Sequence, residues 1–227
     1  MVVSGLELWQ WLQEAKTEAI ASNISNTEIE WLLQELAVID RLALRLESFK
    51  ELPKVTLKIP FTDLKNLWSR RVREQIPVQY LTGITYWRHF SLIVTPAVLI
   101  PRPETELTID LAVAAAKRQP QTESSNSKSH WVDLGTGSGA IALGLAESLT
   151  NTLIHAVDFS SDAIAVARQN AENLGLGDRI QFYQGSWWEP LESAIVDGLP
   201  LRGQISGMVS NPPYIPSSLV PNLQPEV

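Results

Sequence analysis

The stretch Val132–Leu143, VDLGTGSGAIAL, decides the fold of this chain. Gly135, Gly137 and Gly139 separate a short apolar run from a helix-forming run. Glycine at such a place permits a sharp turn and lets the backbone approach a ligand closely. The spacing G-x-G-x-G differs from the dinucleotide fingerprint G-x-G-x-x-G, and no Gly-Lys-Ser/Thr follows as in a P-loop. Glycines also occur in turns for structural reasons alone. The loop therefore predicts a strand-turn-helix unit, and the prediction of a ligand-binding site requires a second feature of the sequence.

Strands and helices alternate from His130 onward. The runs HWVDL, TLIHAVD, IQFYQ and ISGMVSN predict strands, and the runs AIALGLAESL and SDAIAVARQNAENLG predict helices. Apolar strands that alternate with helices are typical of a parallel sheet covered on both faces. The predicted fold class is therefore α/β, with a Rossmann-like parallel sheet.

Asp158 supplies the second signal, because it ends the strand that follows the glycine loop. In open α/β sheets the ligand crevice lies at the carboxyl ends of the strands. A carboxylate there can accept hydrogen bonds from both hydroxyls of a ribose. The alternative is a helix cap for SDAIAVARQ, although Ser160 can serve as that cap. The loop and the aspartate together favour a nucleoside site.

The stretch Ser210–Pro216, SNPPYIP, follows the fourth predicted strand. Two prolines fix the backbone, so that acceptors beside them lose little entropy when a ligand binds. The side chain of Asn211 and the backbone carbonyl of Pro212 offer two acceptors for the N–H groups of one nitrogen. Tyr214 offers a flat face to a planar amide or base. Asn-Pro is also a common turn starter, and taken alone that alternative is competitive.

The part of the chain before the sheet divides into two regions. Residues 1–75 show apolar residues at helical spacing, a capping-box pattern of Ser25 with Glu28, and Thr62 as the predicted cap of a third helix. The run ITYWRHFSLIV then predicts a hairpin, and Pro103 opens a further helix. We predict three regions: an N-terminal helical domain over residues 1–75, a β-hairpin linker over 76–102 and a ligand-binding sheet domain over 103–227.

Composition excludes several classes of function. The chain has 227 residues, a net charge of −7 and no cysteine, which excludes disulfides, thiolate metal sites and cysteine nucleophiles. Its three histidines show no metal-ligand spacing. The acidic balance argues against bulk affinity for nucleic acid, and no run reaches the ~20 apolar residues of a membrane span. We expect a cytoplasmic monomer that uses no metal ion and binds neither nucleic acid nor membrane directly.

The motifs together carry a family resemblance. VDLGTGSGAIAL, HAVDFS and VSNPPYIP resemble the class I S-adenosylmethionine-dependent methyltransferases. The segment Pro77–Glu106, which ends in IPRPETE, resembles the linker of the peptide-chain release factor glutamine methyltransferases, the HemK family, which also carry an N-terminal helical bundle. The resemblance implies methyl transfer from S-adenosylmethionine to the side-chain amide nitrogen of the glutamine in the Gly-Gly-Gln motif of release factors.

The resemblance also implies roles for particular residues. The residues expected to bind S-adenosylmethionine are Gly135, Thr136, Gly137, Ser138, Gly139, Asp158, Trp187 and Asn211. Those expected to frame the glutamine are Asn211, Pro212, Pro213 and Tyr214, of which Asn211, Pro212 and Tyr214 are the catalytic candidates. Arg102 and Glu106 would lie near the cleft, with a surface ion pair or helix-end charges as equal alternatives.

Two departures from the family keep alternatives open. Ser186 stands where the family often has an acidic residue, and its hydroxyl would be a weaker acceptor for the contact with adenine beside Trp187. The family sheet has seven strands in the order 3-2-1-4-5-7-6, and this sequence supplies the first four, so we expect a truncated sheet domain or a partner over the fourth strand. The alternatives are a methyltransferase for amino groups of adenine or guanine in nucleic acid, and a non-catalytic chain that only binds a release factor.

Overall fold

The computed structural model describes residues 1–118 and 128–212. The chain divides into two compact units, the first being Met1–Thr82 and the second beginning at Gly83. The hairpin that was predicted as a linker falls within the second unit. The roles of the predicted regions stay predictions. In the part of the chain that the structure describes, no helix is both long enough and apolar enough to cross a membrane.

The first unit is a bundle of short helices. Ser4 caps the first of them, because its hydroxyl accepts a hydrogen bond from the backbone N–H of Glu7 at 3.1 Å. A two-residue pair of antiparallel strands, β1 with β2, joins the start of the chain to residues 55–56. The helices and strands of this unit are β1 (Val2–Val3), α1 (Gly5–Ala21), α2 (Asn26–Leu36), α3 (Arg41–Arg45), β2 (Val55–Thr56), α4 (Phe61–Glu74) and α5 (Val78–Thr82).

The predicted apolar stripes form the core of this bundle, as the sequence spacing indicates. Each of the following side chains is buried: Leu8, Leu12, Ala15, Ala19, Ile29, Leu32, Leu33, Leu64 and Trp68.

The predicted cap of α4 is wrong, and the predicted capping box of α2 is only half formed. Helix α4 begins at Phe61 after Pro60, so Thr62 lies in its first turn rather than at its cap. A proline supplies a fixed φ suited to helix entry and needs no hydrogen-bond partner for its nitrogen. Ser25 does cap α2, but Glu28 does not complete a capping box with it. Its carboxylate instead binds the guanidinium of the buried Arg71, at 2.9 Å for Nη2, because a buried cation requires a charged partner.

The second unit opens with the predicted hairpin. Strands β3 (Ile84–Trp87) and β4 (Phe90–Ile93) pair antiparallel, with Trp87 opposite Phe90 beside the turn. A short 3-10 turn, Pro103–Thr105, then leads into helix α6 (Glu106–Arg118), as Pro103 predicts.

The sheet confirms the predicted alternation and runs parallel throughout. Its order is β10-β5-β6-β7, which is the order 4-1-2-3 of the four predicted strands. The elements of this region are β5 (Ser129–Leu134), α7 (Ala140–Ser148), β6 (Thr152–Asp158), α8 (Ser161–Asn173), β7 (Ile180–Gln184), α9 (Glu189–Glu192), β8 (Ile195–Val196), β9 (Leu199–Pro200) and β10 (Ile205–Ser210).

Different elements cover the two faces of the sheet. One face carries Trp131, Ile154 and Ala156 and packs against the hairpin and helices α6, α7 and α8. The other face carries Val132 and Val157 and packs against α9 and the small β8–β9 pair. Among the described residues, the predicted cover by long helices is therefore found on one face.

Candidate functional site

The carboxyl ends of all four parallel strands lie at one edge of the sheet. Leu134 is level with Val157 on one side and with Ser210 on the other. Asp158, one residue further, is level with Gln184. The glycine loop, Asp158 and Asn211 therefore begin side by side, which is the arrangement that the sequence predicted.

The glycine loop Gly135–Gly139 turns back against the neighbouring strand. The backbone N–H groups of Gly135 and Thr136 both donate to the carbonyl of Val157, each at 2.9 Å. All three glycines have a left-handed φ, of +73°, +55° and +84° along the chain. A Cβ on Gly135 or Gly137 would meet no atom within 4 Å. The backbone conformation thus requires glycine, and open space lies beside the loop.

Asp133 is a fully buried carboxylate beneath this loop. Its Oδ2 accepts hydrogen bonds from the hydroxyl of Thr136 at 2.6 Å and from the backbone N–H of Ala142 at 3.1 Å. Burial raises the pKa of Asp133 to about 6, the two hydrogen bonds oppose the rise, and the charge of Asp158 adds to it. The Oδ1 atom has no hydrogen-bond partner among the described residues. Asp133 fixes the loop and also places negative charge beneath it.

Asp158 holds the far side of the loop. Its Oδ2 accepts from the backbone N–H of Gly137 at 2.8 Å, and its Oδ1 accepts from the backbone N–H of Ser160 at 3.0 Å. Ser160 is the N-cap of α8, as predicted, and its hydroxyl accepts from Ala163. A carboxylate has about four acceptor positions, so these two bonds leave room for two more. Asp158 is half-buried, and ligand hydroxyls can still reach it.

Two exposed aromatic side chains follow the carboxyl ends of neighbouring strands, Phe159 after β6 and Trp187 after β7. Trp187 is 57% exposed and has a left-handed φ of +50°, which is uncommon for a bulky residue. Phe159 is 80% exposed, and no role was predicted for it from the sequence. The signal was available, since an aromatic residue directly follows the aspartate that ends a strand. Ser186, where the family often has an acidic residue, is exposed.

Asn211 contacts a segment far away in the chain. Its Nδ2 lies 3.4 Å from the hydroxyl oxygen of Thr105, which belongs to the IPRPETE segment. Thr105 is a second residue that sequence reasoning did not single out. Pro212 follows, half-buried, whereas Pro213 and Tyr214 lie outside the described residues.

Arg102 and Glu106 take up contacts with the hairpin. The carbonyl of Arg102 accepts from the indole N–H of Trp87 at 2.9 Å. The Oε1 atom of Glu106 accepts from the backbone N–H of Arg88 at 3.2 Å. Both residues thus anchor the hairpin to the start of α6.

Thr136 and Ser138 differ from the glycines around them. Both side chains are buried, and the hydroxyl of Thr136 is taken by Asp133. A ligand beside the loop would therefore meet the backbone of these two residues rather than their side chains.

Comparison with known proteins agrees with this arrangement. Residues 125–201 match the family described as "Methyltransferase domain". With its parallel sheet and glycine loop, the second unit has the fold of a class I methyltransferase, and S-adenosylmethionine is the methyl donor of that class.

Relatives identify the family more closely. The chain is 51% identical to the release factor glutamine methyltransferase of Synechocystis sp., over 99% of this chain and 72% of the relative. It is 45% identical to the enzyme of that name from Thermosynechococcus vestitus, over 96% and 70% of the two chains. It is 39% identical to that of Gloeobacter violaceus, over 96% and 68%. The chain belongs to the family of release factor glutamine methyltransferases.

Proposed function

We propose that this chain transfers a methyl group from S-adenosylmethionine to the side-chain amide nitrogen of the glutamine in the Gly-Gly-Gln motif of peptide chain release factors. One observation carries the proposal: the glycine loop, Asp158 and Asn211 lie together at the carboxyl edge of the sheet. The names of the relatives support this substrate over the amino group of a nucleic acid base.

The residues at this edge of the sheet fit the proposed cofactor. The open space beside Gly135 and Gly137 suits a ligand that lies against the loop. Asp158 would hold the ribose hydroxyls with its remaining acceptor positions. Trp187 and Phe159 offer flat apolar surface to a purine base. S-adenosylmethionine supplies an electrophilic methyl group on a sulfonium, and the buried Asp133 and neighbouring Asp158 provide negative charge that favours a cation.

Asn211 would position the substrate amide. With its Nδ2 directed at Thr105, its Oδ1 is the acceptor for one N–H of the glutamine side chain. The backbone carbonyl of Pro212 would accept from the other N–H. Both bonds hold the nitrogen in place and favour its rehybridisation, since an amide lone pair is otherwise delocalised into the carbonyl. Positioning of this kind is the main contribution that an enzyme can make to a direct displacement. Pro213 and Tyr214 would complete the frame around the glutamine.

The remaining assignments follow from this substrate. Release factors are the proposed partners, and the helical unit is the proposed docking domain. A cytoplasmic location agrees with a partner that acts in translation, and we propose a monomer.

Radiolabelled methyl transfer by the purified chain tests the proposal. The acceptors offered in parallel are a release factor, the same factor with glutamate in place of the Gly-Gly-Gln glutamine, a ribosomal protein and DNA. We expect label in the first acceptor alone. Label on DNA alone would support a nucleic acid methyltransferase instead. Binding of the release factor without transfer, by a chain whose melting curve shows that it is folded, would support a non-catalytic binding role.

A further inference from the structure

Asn170 is a fully buried polar side chain near the C-terminal end of α8, and the proposed reaction does not use it directly. Its Oδ1 accepts from the backbone N–H of Ile93 at 2.7 Å. Its Nδ2 donates to the backbone carbonyl of Ile93 at 3.0 Å and to that of Ser138 at 2.9 Å. Each N–H group of the side-chain amide and its oxygen therefore has a partner. A buried amide that is satisfied in this way holds its neighbours in fixed positions.

The two partners of Asn170 belong to different parts of the second unit. Ile93 ends strand β4 of the hairpin, and Ser138 lies inside the glycine loop. Asn170 engages both the N–H and the carbonyl of Ile93, as a neighbouring strand would. One side chain thus ties the hairpin directly to the loop.

Helix α8 also packs closely against the last glycine of the loop. A Cβ on Gly139 would lie 3.1 Å from the Cβ of Ala167, which is closer than ordinary side-chain contact. Ala167 lies nearly one turn before Asn170 on the same helix. Helix α8 therefore contacts the loop at two points, at Gly139 through Ala167 and at Ser138 through Asn170.

The opposite end of the hairpin reaches the segment that contacts Asn211. Trp87 and Arg88, beside the hairpin turn, bind Arg102 and Glu106. Thr105 lies between those two residues and contacts the side chain of Asn211. The hairpin therefore stands between the loop on one side and the proposed substrate-binding asparagine on the other.

We propose that Asn170 is a positioning residue that couples the hairpin to the glycine loop, so that a ligand at the loop and the position of the hairpin are set together. The inference rests on the proposed function in taking the loop as the cofactor site. Coupling of this kind is reciprocal: a ligand that binds the loop must also restrain the hairpin.

The test compares Asn170→Asp with Asn173→Asp. The first change keeps the size and one acceptor but removes both N–H donors and sets a carboxylate against two carbonyl oxygens. The second makes the same chemical change at an exposed position of the same helix. The affinity for S-adenosylhomocysteine is measured by calorimetry. Amide hydrogen exchange of the hairpin peptide that contains Ile93 is followed with and without that ligand, and thermal melts are recorded on the same samples.

We expect S-adenosylhomocysteine to slow exchange in the wild-type hairpin. Asn170→Asp should bind it about tenfold more weakly, which is the effect of losing the one hydrogen bond that reaches the loop, to the carbonyl of Ser138. Its hairpin should no longer respond to the ligand, whereas Asn173→Asp should behave as the wild type. If Asn170→Asp does not fold, Asn170→Ser, which is smaller and keeps one donor, is measured in the same way.

The outcomes separate the two proposals. A folded wild-type chain that does not bind S-adenosylhomocysteine overturns the proposed function, and the coupling with it. A wild-type chain that binds, with a position-170 variant whose hairpin still responds to the ligand, overturns the coupling alone. The same holds if the variant only melts earlier while affinity and hairpin response stay normal, because Asn170 is then purely structural.

Discussion

Replacing Asp133 by asparagine should change how the stability of the protein depends on pH. Asp133 is fully buried, and both of its hydrogen bonds reach the same oxygen, Oδ2. The carbonyl oxygen of an asparagine can accept both bonds. The substitution therefore removes a buried ionisable group while it preserves the contacts that fix the loop.

The magnitude follows from the pKa of this group. Its value is about 6 in the folded protein against 3.8 for an ordinary aspartate. Between these two values the folded state binds more protons than the unfolded state, so the contribution of Asp133 to stability falls as pH rises. Over the whole range this contribution to the free energy of unfolding falls by about 3 kcal/mol, at 1.36 kcal/mol per pKa unit. Asparagine does not titrate, so the variant should gain stability relative to the wild type by about 2–3 kcal/mol between pH 4 and pH 7.

A second buried group acts in the opposite direction over the same range. Burial lowers the pKa of His155 from 6.5 to about 4, and the neighbouring His130 adds to the shift. The unfolded state then binds more protons, so this contribution to stability rises with pH through the same window. The two slopes partly cancel in the wild type, which is why the difference between variant and wild type is the informative quantity.

Urea unfolding of both proteins at half-unit steps of pH measures that difference. The fit of the asparagine adds an amount that is the same at every pH, so the test is the change of the difference with pH and not its value at any one pH. A difference that does not change between pH 4 and pH 7 would refute the reasoning, because Asp133 would then ionise in the folded protein without cost. His155→Gln serves as the opposite control, since it should remove the rising contribution and leave the falling one.

Three further changes probe the proposed site. Asp158→Ala should weaken binding of S-adenosylhomocysteine by roughly 3–6 kcal/mol, as expected for the loss of two charge-assisted hydrogen bonds. Asp162→Ala, in the exposed first turn of α8, should leave the affinity unchanged, and equal affinities of the two variants in calorimetry would remove Asp158 from the site. Asn211→Ala should slow single-turnover methyl transfer by ~10²–10³ with an unchanged melting temperature, and a near-normal rate would make the double proline only a turn. Gly139→Ala should destabilise the protein by more than Gly175→Ala, because both have positive φ but only Gly139 meets another residue; equal losses in urea would show that crowding by Ala167 is unimportant.

Local sequence signals predicted most of the second unit. The four strands and two helices that surround the glycine loop have apolar runs and turn residues of their own, so each element could be recognised without its neighbours. The hairpin was recognised from alternation in ITYWRHFSLIV, and its register pairs Ile84 with Ile93. The small β8–β9 pair was missed, although Asp197-Gly198 between two apolar pairs is a known hairpin signal.

The residues that sequence reasoning missed depend on contacts between distant parts of the chain. Asn170 lies near the C-terminal end of a helix, where a polar residue usually faces solvent, and its partners are 77 and 32 residues away. Glu28 has the spacing of a capping box, but its carboxylate binds the buried guanidinium of Arg71 instead. Thr105 has no local signal, since its contact with Asn211 spans 106 residues.

The charge around the loop distinguishes between classes of nucleoside ligand. Two carboxylates, Asp133 and Asp158, accept hydrogen bonds from the loop. Within residues 1–118 and 128–212, neither of them forms an ion pair. A pyrophosphate against this loop would meet that negative charge, whereas a sulfonium would be stabilised by it. The spacing G-x-G-x-G pointed the same way, because it lacks the pyrophosphate fingerprint. The spacing of the glycine loop and the charge around it thus both favour a nucleoside ligand that carries a positive charge. Neither argument depends on Asn211, which would hold the substrate amide.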